Sequence, residues 1–219
     1  ATASGNFGTA LGKYASASGN YSTAVGKYAA ASGVASSAFG YGAHATGTAS
    51  TALGVDAYAS GFGSIAEGVF ASATADTSIA VGYHTSAQGY SSAAFGSNAT
   101  ASGDSSIALG NTSFASGEYA TAVGPFAVAA GYGSTAIGDT ANAIGDYSVA
   151  VGKNAYAAGA QSMATGFGAQ ALGASSIATG AGAMAASDNG VAIGTGAYVA
   201  ATGTYTVTNK YGTQTYTAA

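Results

Sequence analysis

The chain has 219 residues, 36 of them Gly, with a single Pro and neither Cys nor Trp. Only 5% of residues are charged, the formal net charge is −4, and every basic side chain is a lysine. Nucleic acid is thereby excluded as a partner, because phosphate binding needs a basic stripe, and the lack of Cys excludes disulfides, zinc thiolates and cysteine nucleophiles. At 48% apolar and 11% aromatic residues the chain is not expected to be disordered. Its glycines have no period of three, which rules out collagen. No apolar run approaches the ~20 residues that span a bilayer, so no membrane insertion by this segment is expected. The start at Ala1, without a leader peptide, reads as a mature form or a fragment.

A repeat of seven organises the chain. From Gly5 in steps of seven to Gly194, 26 of 28 positions are Gly, with Ala75 and Ser187 as exceptions. Two residues earlier, from Ala3 to Ala192, all 28 are Ala. Four residues earlier the side chain is always small. A coiled coil needs large apolar residues at two heptad positions, and Gly in every heptad would cost a helix about 1 kcal/mol each time. Spacing of two within the unit is strand periodicity. Each unit therefore predicts a five-residue strand and a two-residue corner.

In chain order, the residue before the Gly alternates in character. The units ending at Gly12, Gly26, Gly40 and onward carry Leu11, Val25, Phe39, Leu53, Glu67, Val81, Phe95, Leu109, Val123, Ile137, Val151, Thr165, Thr179 and Ile193. The units between them carry mostly Ser, Thr or Ala, with Ile144 and Leu172 as the large exceptions. The true coil is thus fourteen residues: two strands, two corners, and one strand with an apolar outer face. Stacked coils would pair as parallel strands about 4.8 Å apart, with the Ala, Ser and Gly positions facing inward. The expected fold is an all-β parallel β-roll solenoid of about 14 coils over 1–194. Residues 195–219 leave the repeat, and Thr/Tyr alternation about Asn209-Lys210-Tyr211-Gly212 predicts a β-hairpin or capping segment.

So thin an interior buries little apolar surface, and an apolar stripe along one strand row is an assembly surface. Its residues are Leu11, Val25, Phe39, Leu53, Ile65, Ile79, Val81, Phe95, Ile107, Leu109, Val123, Ile137, Val149, Val151 and Ile193. Each is worth about 1.5–3 kcal/mol when fully buried. Glu67 interrupts the stripe beside Ile65. If copies meet there, carboxylates approach one another, which raises their pKa or recruits a cation. Of the twelve formal charges, ten fall in corners, which predicts that corners face water.

The units Ser78-Ile79-Ala80-Val81-Gly82, Ser106-Ile107-Ala108-Leu109-Gly110 and Ser148-Val149-Ala150-Val151-Gly152 resemble the YadA-like head domain of trimeric autotransporter adhesins. The resemblance runs over 1–194. It implies a left-handed parallel β-roll, assembled as a homotrimer through the apolar strand. It also implies a non-catalytic adhesin head on a bacterial surface fibre, attached to the outer membrane by another segment and binding host matrix, cells or other bacteria. The host receptor would be a protein or glycan, with no cofactor. A trimeric phage tail-fibre or virion-fibre segment is the alternative.

Candidate ligand contacts are the corner aromatics Tyr14, Tyr21, Tyr28, Tyr83, Tyr90, Tyr119, Tyr132 and Tyr147, because exposed tyrosines suit protein or glycan contact. His44 and His84 are expected to be solvated. Ice binding would need a regular Thr-x-Thr array, which His44/Thr46 and Tyr58/Ser60 do not give. Acidic residues scattered singly over corners give no paired carboxylates for a lyase.

Overall fold

A computed structural model describes residues 1–200, 204–209 and 212–217, the last two segments as backbone only. The chain divides into two units, 1–112 and 113–219. In the first, short strands Thr2–Ala3, Ser16–Ala17, Ala30–Ala31, His44–Ala45, Tyr58–Ala59, Ser72–Ala73, Ser86–Ala87 and Thr100–Ala101 follow one another in one parallel sheet. Longer strands Thr9–Leu11, Thr23–Val25, Ser37–Phe39, Thr51–Leu53, Ile65–Glu67, Ile79–Val81, Ala93–Phe95 and Ile107–Leu109 form a second. The register is an exact shift of fourteen, with Thr9, Ala10 and Leu11 opposite Thr23, Ala24 and Val25.

The second unit repeats the plan. Short strands run from Phe114–Ala115 through Val128–Ala129 to Tyr198–Val199, and longer ones from Thr121–Val123 through Thr135–Ile137 to Val191–Ile193. Thr204–Asn209 pairs antiparallel with Gly212–Thr217. The chain is all-β, a parallel solenoid of about 14 coils, with no helix among the described residues. The roll runs past 194, where the repeat was expected to end: Tyr198 and Val199 pair in register with Met184 and Ala185. Val199 is buried where earlier coils place Ala.

The strands are shorter than five residues because both ends bend. After the short strand ending at Ala17, Ser18 and Gly19 both donate to the Ala31 carbonyl, at 3.0 and 3.2 Å, so the ladder ends in a forked bond. Each corner is then a four-residue turn. Gly8 N donates to Gly5 O at 3.1 Å and Ala15 N to Gly12 O at 3.2 Å. The second corner residue has φ near +57° at Phe7 and +62° at Tyr14, the pattern of a type II turn. Corners are tied from coil to coil as well, Tyr21 N donating to Asn6 O at 2.7 Å.

The core is alanine. Ala17, Ala24, Ala31, Ala38 and their later equivalents to Ala192 have no exposed surface, and the largest fully buried side chains are Val199 and Thr85. Glycine completes the packing: a methyl built on Gly89 would overlap the Gly103 carbonyl. A row of buried serines lines one side of the interior. Ser50 and Ser78 donate to the carbonyls three residues back, at 2.7 and 2.6 Å, whereas the hydroxyls of Ser22, Ser36, Ser64, Ser106 and others in the row have no partner.

Candidate assembly and ligand faces

The longer strands place alternate side chains inward and outward. In the first unit Ala10, Ala24, Ala38, Ala52, Ala66, Ala80, Ala94 and Ala108 point in, so their neighbours point out. Leu11, Phe39, Leu53, Ile65, Ile107 and Leu109 are exposed, and Val25, Ile79, Val81 and Phe95 are half-buried. In the second unit Ile137 and Ile193 are exposed, and Val123, Val149 and Val151 half-buried. The half-buried ones are shielded by the rows on either side. Sequence reasoning left out Met163, Ile177 and Val191, which share this face. They occupy the position before the inward Ala, the same place as Ile65 and Ile79, so spacing alone could have found them.

Glu67 sits on this face, exposed, with Leu53 on one side and Val81 on the other in the ladder.

The corner aromatics divide into clusters. In the first unit Phe7 stacks on Tyr21 with centroids 5.2 Å apart, and Tyr14 stacks on Tyr28 at 5.2 Å. Tyr28 meets Tyr41 edge-on at 5.8 Å. Tyr83 packs edge-on against His84, whose ring stacks on Phe70 at 4.6 Å. His84 is exposed, as expected, and is also part of an aromatic cluster. Tyr90 stands apart from these rings, its backbone N–H held by Asp104. In the second unit Tyr119, Tyr132 and Tyr147 form one run of edge-on contacts, at 5.5 and 5.2 Å. Partial desolvation raises the Tyr132 phenol above its ordinary value, with Tyr147, Glu118 and Tyr119 adding to the shift. Tyr41 and Phe70 escaped the sequence reading, although each follows a repeat Gly by one or two residues like the rest.

Stacking follows from the turns. Tyr14, Tyr21, Tyr28, Tyr119 and Tyr147 all hold φ between 56° and 64°, in the left-handed region. Non-glycine residues pay roughly 1–2 kcal/mol there. The fixed backbone then projects successive rings in the same direction, one strand spacing apart.

Several corner carboxylates have structural partners. Asp76, Asp104, Asp146 and Asp188 each accept from the backbone N–H one coil earlier, at Phe62, Tyr90, Tyr132 and Ala174, over 2.8–2.9 Å. Asn20 does the same for Asn6 at 3.0 Å. Asp139 is held by Lys153 at 3.0 Å and by the Thr140 hydroxyl at 2.9 Å, and these bonds keep its carboxyl below the ordinary value. Among the described residues no group of three or more His, Cys, Asp or Glu is placed to hold a metal ion, and no helix is long and apolar enough to cross a membrane.

Fourteen-residue coils, an alanine interior, an outward apolar sheet and tyrosine-bearing corners define a parallel β-roll. The YadA head domain repeat, two copies to a match, aligns with residues 1–29, 31–57, 59–85, 87–113, 115–141, 143–169, 157–183 and 171–197. The chain belongs to this family. No curated protein matches it.

Proposed function

We propose that the chain is the non-catalytic head module of a trimeric bacterial surface fibre and mediates attachment to host matrix, cells or other bacteria. In this reading the roll is left-handed, and three copies pack through the outward face of the longer strands. The head stands at the cell surface, and outer-membrane anchorage belongs to another part of the fibre. The observation that carries the proposal is the run of head repeats over 1–197 joined to an outward apolar face in each unit. A face carrying Leu11, Phe39, Leu53, Ile107 and Leu109 in the open is costly in water and is relieved by a like face. The corners, left outside such an assembly, would meet the receptor. Closure of the roll beyond Val199 would fall to the paired strands Thr204–Asn209 and Gly212–Thr217.

Inert beads coated with the chain should be retained on collagen, fibronectin or cultured cells well above bare beads. Retention equal to that of bare beads on every surface would contradict an adhesive role.

A further inference from the structure

We infer that one corner edge of the first unit, built from Lys13, Tyr14, Lys27, Tyr28 and Tyr41, is a binding site for an acidic polysaccharide. The inference gives a ligand class to the proposed head and depends on that reading only for its biological setting. Its chemistry rests on five residues that the fourteen-residue register brings together.

Lys13 and Lys27 hold the same corner position in successive coils. The Lys13 ammonium lies 5.1 Å from the Tyr14 ring centroid, and that of Lys27 lies 5.0 and 5.5 Å from those of Tyr28 and Tyr41. Tyr14 and Tyr28 stack within 11° of parallel. Backbone bonds fix the spacing: Tyr28 N donates to Lys13 O, and Gly42 N to Lys27 O, both at 3.0 Å. All five side chains are exposed. The edge is therefore pre-organised, and binding to it loses little side-chain freedom.

Charge selects the ligand. Two of the chain's four lysines stand here, in a molecule of net charge −4. Lys153 is paired with Asp139, but among the described residues no carboxylate lies within ion-pair distance of Lys13 or Lys27. Asp56, the next acid along this edge, lies over Gly42, beyond the two lysines. Lysine ammoniums and phenol hydroxyls make a row of donors, bounded at one end by Asp56 and suited to carboxylate or sulfate groups repeated along a chain. Tyrosine hydroxyls both donate and accept, which matches sugar hydroxyls. Nucleic acid fits poorly: two cations are few for phosphate binding, and base stacking needs open ring faces, which here are taken by the ammoniums and neighbouring rings.

The test is calorimetric titration of the whole chain with a heparin oligosaccharide, using dextran and poly-glutamate as comparisons. Saturable heparin binding is expected, with none to dextran and weaker binding to poly-glutamate. K13Q/K27Q should weaken heparin binding about tenfold, as the loss of two exposed ion pairs allows, while K153Q should leave it unchanged. Y14F/Y28F keeps the ring stack and should still weaken binding, by about threefold, through the lost hydroxyls. No heparin binding by the unaltered chain would overturn the site, as would unchanged affinity in a K13Q/K27Q variant with a native melting curve. Poly-glutamate binding as tightly as heparin would overturn the glycan assignment in favour of an acidic peptide. Coated beads on cells stripped of glycosaminoglycans separate this inference from the adhesive reading. Undiminished retention there would contradict the glycan site and leave adhesion standing. Failure to adhere to any surface would contradict adhesion, with the titration still deciding the site.

Discussion

Single residues in this roll are judged by what the next coil allows. A methyl on Gly89 would overlap the Gly103 carbonyl, whereas one on Gly168 meets open space and only a φ of +62° opposes it. Gly89→Ala should therefore prevent native folding of the coil, and Gly168→Ala should cost about 1 kcal/mol, the left-handed penalty, both read by denaturant unfolding. The serine row gives a second contrast. Ser106→Ala removes a buried hydroxyl that has no partner and should be neutral or stabilising, as Ala120 one coil later already suggests. Ser50→Ala removes a bond to Gly47 O and should cost about 1 kcal/mol. A pH effect belongs to this scale too. The Asp139 carboxyl is lowered by Lys153 and Thr140. Its contribution is present above the ordinary carboxylate value and is lost as pH falls through the lowered one. An NMR titration should find Asp139 protonating below the ordinary range, and Lys153→Gln should move it back up.

At the scale of elements, the turns and the longer strands divide the work. Turns set the register, and strands supply the face. Seven-residue spacing showed two strands and two corners per coil, because an interior wide enough only for Ala, Ser and Gly stamps its pattern on every unit. The spacing also marked the outward face, since Leu11, Val25 and Phe39 recur at one position. It did not show that the corner carboxylates Asp76, Asp104, Asp146 and Asp188 cap backbone N–H groups of the preceding coil. Those pairs are fourteen residues apart and depend on side-chain direction at the first corner position of a type II turn. For the same reason the stacking of Phe7 on Tyr21, and of His84 on Phe70, was not legible. The end of the roll was read too early because Val199 replaces the repeat alanine, although the chain still pairs there. On the outward face Glu67 is the one acid among apolar neighbours. If this face packs against copies of itself, Glu67→Val should raise the melting temperature of the assembly at pH 7, while the same substitution in a chain that stays single would leave it nearly unchanged.

For the whole molecule, the central question is whether the outward face of the longer strands is covered by other copies of the chain. The alanine interior is thin, and the apolar residues that would normally fill a core lie outside it. In the proposed trimer a like face would supply the missing burial, with charges left in corners and the tyrosine clusters open to a ligand. Charge placed on the face should undo this: Leu109→Asp with Ile107→Ser should dissociate the assembly and leave the coil register intact by circular dichroism. The most direct measurement is the mass of the unaltered chain in solution by light scattering. Three times 20.5 kDa is about 61.5 kDa, and that is the mass expected. A stable species of 20.5 kDa would contradict the account. The apolar face would then stand open in water, and the case for a trimeric head would fail.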